Sequence, residues 1–222
     1  MMTDFEKFAV SKGIGTGKLD SYSKYATRGG LITPTILEER SLNVVGYDIF
    51  SRLQLDRILF LGSEINEDVA NIINAQLLYL NSIGEDDIKM FINSPGGSVI
   101  DGLAIYDVMN FVTPDVSTYC MGMCASMGSI LVSSGTKGKR FALPNSTVMI
   151  HQVSSGTGYV QNSDLQIAAK QSQIWQNTLY KILAENTGKS FEEIEKDADR
   201  DHWFNAEESI EYGLIDELVR KK

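Results

Sequence analysis

Ser126 is the residue whose surroundings best fit a catalytic nucleophile. It lies between a β-rich run, residues 116–121, and an apolar stretch from Met127 that predicts the start of a helix. Small residues would let the chain turn sharply at this point: Gly122, Ala125 and Gly128. A serine at such a turn exposes its Oγ, and the helix N-terminus behind it favours developing negative charge. Because helix capping is the commoner role for such a serine, the stretch alone leaves both interpretations open.

A catalytic serine also needs a base that works near neutrality, and histidine most often serves. The sequence contains two histidines. His151 ends a β-branched run that begins at Ser146, where a loop is predicted to follow, and this position suits a base. His202 lies in a charged segment between two predicted short helices and is interpreted as a surface residue. His151 is therefore the candidate base.

A carboxylate would be needed to hold the imidazole tautomer and to stabilise the imidazolium ion. Three aspartates lie in one charged run, and their spacing does not choose among them: Asp197, Asp199 and Asp201. The developing oxyanion would need backbone N–H donors, and the amides of Gly97 and Met127 are suited to this role. For residues 95–97 considered alone, an ordinary turn is the alternative interpretation.

Strands and helices alternate along the chain, which predicts an α/β fold with a largely parallel sheet. The predicted strands cover residues 58–61, 88–92, 116–121 and 146–152, and helices are predicted over 47–55 and 99–112. Gly97, Ser126 and His151 each follow a predicted strand. Because ligands of parallel sheets gather at the carboxyl ends of the strands, we expect these residues to share one site.

Another helix is predicted from an Asn66 cap to a stop at Gly84. Its apolar positions predict one buried stripe: Val69, Ile72, Ile73, Leu77 and Leu80.

A long helix is predicted from a capping box of Ser163 with Gln166 to the neighbourhood of Gly188. Its roughly 24 residues would extend about 36 Å. A helix this long in a domain of this size indicates contact with a partner subunit. Two shorter helices are predicted to begin at caps Ser190 and Asn205.

The composition is that of a globular chain of 222 residues, with 43% apolar and 22% charged residues. Its formal net charge of −9 argues against a surface for nucleic acid or for an anionic membrane. Cys120 and Cys124 are interpreted as buried free thiols, because two cysteines without further ligands do not make a zinc site. No apolar run reaches the ~20 residues of a membrane span. A soluble, cytoplasmic protein is expected.

The ordered motifs of the chain, taken together, resemble those of one known family. They are Tyr47–Leu53, Asn93–Gly97, Pro114–Thr118, Ala125–Gly128, Lys137–Phe141, Leu143–Ser146, Met149–Gln152 and Glu211–Asp216. From about Leu31 to Val219, the chain resembles the proteolytic subunits of the Clp protease, which are self-compartmentalised serine peptidases of peptidase family S14. The resemblance implies a crotonase/ClpP-like α/β fold of repeated strand–helix units, with the long helix as a projecting handle.

The same resemblance implies a serine endopeptidase with Ser126 as nucleophile and His151 as base. It selects Asp201 as the triad carboxylate, and the amides of Gly97 and Met127 as oxyanion donors. It implies no cofactor for this chain. Unfolded proteins would be cut to short peptides inside a barrel-shaped oligomer of this subunit.

Partner contacts are also implied by the resemblance. The chain would form two stacked heptameric rings, with Asp199 and Arg200 at the contact between rings. A AAA+ unfoldase of the ClpX or ClpA/ClpC type would consume ATP and dock in apolar pockets on the ring. The residues implied for these pockets are Phe91, Phe111, Tyr119, Met121, Phe141, Leu143 and Val219, for which ordinary core is the alternative interpretation.

Residues 1–30 precede the usual start of the family and are interpreted as a flexible extension, either a propeptide or a retained segment. Residues 31–222 would form the peptidase domain. Val153 stands where relatives usually have proline, and the loop after it is longer, which affects the edge of the substrate groove.

Two other functions are considered. A silent ring subunit would lack triad residues, whereas all three are present here. An acyl-CoA hydratase or isomerase could share the fold, but it would not require serine, histidine and aspartate at these positions.

Overall fold

The computed structural model describes residues 35–40, 43–154, 156, 158 and 161–220. The expected extension, residues 1–30, lies outside the described residues. Contacts divide the chain after Arg52. In the first unit, strand β1 (Thr35–Arg40) pairs antiparallel with β2 (Asn43–Asp48).

Helix α1 (Ile49–Leu55) is shorter than the helix predicted over 47–55. Its first two predicted residues belong to β2, whose last residue, Asp48, accepts hydrogen bonds from the amides of Phe50 (3.0 Å) and Ser51 (3.1 Å). An aspartate that caps a helix has extended backbone, which is why the strand runs up to this residue.

The second unit is built on a seven-stranded sheet with the path β3-β4-β5-β6-β9. These strands are β3 (Ile58–Leu61), β4 (Ile88–Ser94), β5 (Val116–Ala125), β6 (Arg140–Ala142) and β9 (Glu217–Leu218). Strand β7 (Thr147–Ile150) pairs parallel with the end of β5, and β8 (His202–Asn205) pairs antiparallel with β7. The other pairings of this sheet are parallel, so the predicted α/β class with a largely parallel sheet is confirmed.

Strand β5 is longer than predicted, because it continues past Met121 to Ala125. Its pairing with β4 shifts on the way: Ile92 is opposite Cys120, whereas Ser94 is opposite Cys124. The extra residues form a bulge around Gly122, whose φ of 75° suits glycine. The bulge lets one strand pair with β6 first and with β7 afterwards. Cys120 and Cys124 are free and buried, as expected.

Helices cover the sheet: α2 (Glu67–Ile83), α3 (Val99–Phe111) and α4 (Met127–Ser133). The Asn66 cap of α2 is confirmed, since its side chain accepts a hydrogen bond from the Val69 amide at 3.0 Å. The predicted stripe was wrong at Ile72, which is 58% exposed. Ile72 lies one position off the row that faces the sheet, where Ala70, Ile73, Leu77 and Leu80 are buried.

The long helix α5 (Asn162–Thr187) has 26 residues and ends at Gly188 in the left-handed conformation, as predicted. The capping box at Ser163 was wrong: the N-cap is Gln161, two residues earlier, and it makes no side-chain cap hydrogen bond. Only its second half packs into the core of this chain, through Leu179, Tyr180, Ile182 and Leu183. Three apolar residues of the first part are exposed: Leu165, Ile167 and Ile174.

Helices α6 (Phe191–Asp197) and α7 (Ala206–Tyr212) complete the fold. Both begin with the capping residues predicted from the sequence, Ser190 and Asn205, and each has a full capping box. Among the described residues, no helix combines the length and apolar character needed to cross a membrane.

A buried arginine of strand β6, Arg140, joins three helix ends through its ion pair and hydrogen bonds. The Arg140 guanidinium pairs with the Asp216 carboxylate and donates to the carbonyls of Ser133, Asn186 and Gly213. Burial of the Asp216 carboxyl raises its pKa, but the hydrogen bonds from Arg140 and from the Gly138 amide outweigh this effect and lower the pKa below its usual value. One side chain therefore joins the ends of α4, α5 and α7 to strand β6.

Asp216→Asn is expected to lower the free energy of unfolding by about 3–5 kcal/mol, because it leaves a buried guanidinium without its counter-charge. Since the folded carboxyl has the lower pKa, its contribution is complete above the unfolded value of about 3.9 and is lost as the pH falls through the folded value. Denaturant unfolding between pH 6 and pH 2 measures both effects, and the variant should lose this part of the pH dependence.

The matched control is Asp87→Asn, which removes one carboxylate from the more exposed pair with Lys139. That change is expected to cost about 1 kcal/mol or less. Equal losses for the two variants would contradict a structural role for the Arg140–Asp216 pair.

Candidate active site

Ser126 occupies a strained turn between β5 and α4. Its φ of 54° and ψ of −123° are unusual for a residue with a side chain. Its amide donates to the Met149 carbonyl at 2.9 Å, which ties the turn to β7. The Ser126 side chain does not cap α4, so the capping interpretation of this serine was wrong. The hydroxyl is free to face another group, and the seven residues of α4 behind it are buried.

His151 is brought to the serine by the pairing of β7 with β5. Ala125 is opposite Met149 in this parallel pair, so Ser126 and the end of β7 lie at the same edge of the sheet. The distance between His151 Nε2 and Ser126 Oγ is 2.7 Å, which is a hydrogen bond. The base and the nucleophile expected from the sequence are therefore in direct contact.

Asp201 is brought to the other side of the same imidazole by the pairing of β7 with β8. The last pair of this antiparallel ladder joins Ile150 to His202. The next residue beyond this pair is His151 on the β7 side and Asp201 on the β8 side. His151 Nδ1 and Asp201 Oδ1 are 3.3 Å apart. The structure thus brings together serine, histidine and one of the three candidate aspartates.

The other two aspartates have different partners. The Asp197 carboxylate accepts a hydrogen bond from the Tyr212 hydroxyl at 2.9 Å. The Asp199 carboxylate lies 3.9 Å from Arg200 Nε, and these two side chains are 72% and 90% exposed. Neither aspartate forms the described contact with His151.

The first glycine after Pro95 packs directly against Ser126, and the second packs against the backbone of Ile65. A Cβ added to Gly96, which has φ 95°, would lie 2.6 Å from Ser126 Cβ, and one added to Gly97 would lie 2.2 Å from the Ile65 carbonyl oxygen. Ser94 supports the turn, since its Oγ accepts from the Gly96 amide at 3.1 Å and donates to the Ser63 carbonyl at 2.6 Å. A side chain at Gly96 would push the segment away from Ser126, and one at Gly97 would clash with the Ile65 backbone.

A pocket of about 200 Å³ opens beside Ser126. Its wall is mainly apolar and comes from four elements, with Val99, Ile130, Ile150, Leu179 and Leu183 among its residues. Tyr180 also lines it, and burial, reinforced by the nearby charges of Glu195 and Asp199, raises the pKa of its hydroxyl to about 12. The tyrosine is therefore neutral at physiological pH, and the pocket suits an uncharged, apolar side chain.

The residues of α5 in this pocket were not among the site residues predicted from the sequence. The signal was present, since Leu179, Tyr180 and Leu183 share one face of the helix through their spacing. What the spacing does not indicate is which part of the protein that face meets.

His202 differs from the surface residue that was expected. Because β8 pairs with β7, its ring lies half-buried and stacks on Phe204 with ring centroids 4.3 Å apart. Its Nδ1 lies 3.3 Å from the Asp197 carbonyl.

The residues expected to receive an unfoldase fall into two groups. Phe91, Tyr119 and Phe141 lie side by side on β4, β5 and β6, with ring centroids 4.5 and 4.9 Å apart. Their side chains are half-buried, as are Met121 and Leu143, while Phe111 is 73% and Val219 is 39% exposed. None of the seven is fully buried in this chain.

Comparison with known proteins gives a consistent result. The family model described as Clp protease matches residues 41–222. The chain is 50% identical to the ATP-dependent Clp protease proteolytic subunit of Porphyromonas gingivalis, and the match covers 99% of both chains. It is also 50% identical to the subunit of the same name from Bacteroides fragilis and 48% identical to that of Bacteroides thetaiotaomicron, over the full length of both chains in each case.

These matches confirm the resemblance that the motifs indicated, together with the expected crotonase/ClpP-like fold. The chain therefore belongs to the Clp protease family of serine peptidases, as a proteolytic subunit.

Proposed function

We propose that Ser126, His151 and Asp201 are the catalytic triad with which this subunit cleaves polypeptides. The observation that carries the proposal is the 2.7 Å contact between Ser126 Oγ and His151 Nε2, with Asp201 next to Nδ1 of the same ring. A serine hydroxyl reacts at neutral pH when a base can take its proton, and the base needs a partner that fixes its tautomer.

In the proposed reaction, Ser126 Oγ attacks the peptide carbonyl carbon while its proton passes to His151 Nε2. Asp201 faces the N–H at Nδ1 and stabilises the imidazolium. The amides of Gly97 and Met127 bind the oxyanion, a role supported by the close approach of Gly96 to Ser126 and by the position of Gly97 and Met127 in the wall of the pocket beside Ser126. His151 then protonates the leaving amine as the peptide C–N bond breaks. Water next attacks the acyl ester and gives a proton to His151, which passes it to Ser126 Oγ as the ester bond breaks and the carboxylic acid product leaves. No cofactor takes part in these steps.

The substrate side chain next to the cleaved bond is proposed to enter the pocket beside Ser126. The apolar wall formed by Ile150, Leu179 and Leu183 favours apolar side chains. Val153, which replaces the usual proline, also lines this pocket and is expected to influence which side chains fit.

Treatment with a fluorophosphonate followed by peptide mapping tests the triad. We expect one adduct, on Ser126, and loss of both adduct and peptide hydrolysis in Ser126→Ala. The variants His151→Ala and Asp201→Asn should react more slowly by several orders of magnitude, since a triad acts as a unit.

Ser129→Ala is the matched control, because Ser129 lines the same pocket but its hydroxyl donates to the Ser126 carbonyl at 2.6 Å. The Ser129→Ala variant should still be labelled by the fluorophosphonate at Ser126. An adduct that persists in Ser126→Ala would refute the assignment.

The subunit is further proposed to act within two stacked heptameric rings. Support comes from the first half of α5, whose apolar residues Leu165, Ile167 and Ile174 are exposed in the isolated chain. Asp199 and Arg200 are also exposed beside the triad and are proposed to contact the opposite ring. Residues 31–222 form the peptidase domain in this proposal, and residues 1–30 form an extension that is removed or retained.

Mass spectrometry of the purified protein tests this arrangement. Native spectra are expected to give an assembly of fourteen chains, and the intact chain mass should show whether the first thirty residues have been removed. Charge reversal in Arg200→Glu is expected to yield single rings, because it places a negative charge where the opposite ring would meet a cation. A wild-type protein that stays monomeric at micromolar concentration would contradict the proposal.

Protein substrates are proposed to be delivered by a AAA+ unfoldase of the ClpX or ClpA/ClpC type. The relatives are named as ATP-dependent, and this sequence contains no phosphate-binding loop of its own. The proposed docking surface consists of the half-buried cluster of Phe91, Tyr119 and Phe141 together with the exposed Phe111. The buried free thiols support the further proposal that this complex works in the reducing cytoplasm.

Phe111→Ser tests docking with little risk to folding, because the side chain is already 73% exposed. We expect unfoldase-dependent degradation of a folded protein to fall at least tenfold, while hydrolysis of a short peptide is unchanged. Ile72→Ser is the control, since it removes another exposed apolar side chain, 58% exposed, from outside the proposed surface. If Phe111→Ser lowered protein degradation and short-peptide hydrolysis equally, Phe111 would serve assembly or folding instead of docking.

A further inference from the structure

A hydrogen bond next to the triad joins the segment that carries the base to the segment that carries the acid. The side-chain amide of Gln152 donates from Nε2 to the main-chain carbonyl of Asp199 at 2.6 Å. Gln152 directly follows His151 in the chain, and Asp199 lies two residues before Asp201. The bond therefore spans the gap across which His151 and Asp201 must meet.

The segment that carries Asp201 has little packing of its own. It connects α6 to β8, and the side chains of Asp199, Arg200 and Asp201 are 72%, 90% and 62% exposed. Its two ends are fixed: Ala198 is buried and its amide bonds to Ile194, and His202 is paired with Ile150. The ladder between β7 and β8 ends at that pair, so ladder hydrogen bonds do not extend to Asp201.

The position of Gln152 suits a clamp on this segment. Its side chain lies between two openings, the pocket beside Ser126 and a second cleft of about 410 Å³ bounded by residues 199–201. Its neutral amide can donate to the Asp199 carbonyl without adding charge beside the imidazole. Because the donor and His151 are adjacent in the chain, a movement of one carries the other.

We propose that Gln152 is a positioning residue that holds Asp201 at hydrogen-bonding distance from His151. The inference rests on the triad proposed above and adds to it a residue that acts through Asp201, although it also borders the pocket beside Ser126. Without the clamp, the exposed segment 199–201 samples positions in which the carboxylate is too far from Nδ1 to orient the imidazole. Catalysis then falls because only a fraction of the molecules has the complete triad, while substrate binding is unchanged.

The test is Gln152→Met, which keeps the length of the side chain and removes the donor. We expect kcat for a short peptide to fall about tenfold, with KM unchanged. Gln152→Asn, which keeps the amide but is one methylene too short to reach the carbonyl, should share this loss. Gln76→Met is the matched control, since it removes a glutamine amide on helix α2 that donates to Gln54 on helix α1. Neither glutamine lines the pocket beside Ser126, and the kcat of this variant should equal that of the wild type.

A double-mutant cycle with Asp201→Asn separates positioning from general damage to the structure. In that background the carboxylate is already absent, so adding Gln152→Met should change kcat by less than twofold. A tenfold loss in both backgrounds would overturn the inference, as would a higher KM with unchanged kcat, which would make Gln152 a substrate contact. Rates are referred to the concentration of folded protein, measured by circular dichroism, so loss of folded protein does not imitate the effect.

Peptide hydrolysis by the wild type and by Ser126→Ala, measured in the same series, distinguishes failure of this inference from failure of the proposed function. Wild-type hydrolysis that does not depend on Ser126 would refute the triad itself. Ser126-dependent hydrolysis that Gln152→Met leaves unchanged would refute the clamp alone.

Discussion

The arrangement of the site depends on the pairings of one four-residue strand, β7. On one side it pairs parallel with β5, which sets Met149 opposite Ala125, and on the other it pairs antiparallel with β8, which sets Ile150 opposite His202. The residues that follow or precede these pairs are Ser126, His151 and Asp201. Since side chains alternate between the faces of a strand, a slip of one residue in either ladder would turn His151 away from its neighbours.

The two contacts of the imidazole are held in different ways. Ser126 lies on a strained turn with a positive φ, and the buried helix α4, the amide bond to Met149 and the nearby Gly96 maintain it. Asp201 is 62% exposed and belongs to a short connection between α6 and β8. The nucleophile and base are thus fixed by the core, whereas the acid lies on an exposed connection to which Gln152 donates one side-chain hydrogen bond.

Local signals in the sequence predicted the helix ends well, because a cap involves residues only three or four apart. The caps at Asn66, Ser190 and Asn205 and the glycine stop at Gly188 are all present. Two signals of the same kind were wrong: Ser163 does not cap α5, and Ile72 does not face the sheet. In both cases the sequence offers alternatives one or two residues apart, and the choice between them depends on packing against other elements.

The sequence by itself determined which groups could do the chemistry. A serine at a strand-to-helix turn and a histidine at a strand end, in a chain with only two histidines, were sufficient to propose the nucleophile and base. Residue spacing left Asp197, Asp199 and Asp201 as equal candidates, and Asp201 was selected there only by the family resemblance. Its contact with His151 and the pocket wall from α5 were decided by the tertiary structure, as was the bond from Gln152 to Asp199. The physical reason is that these contacts join residues distant in sequence, whose separation is set by strand register and helix packing and not by local preference.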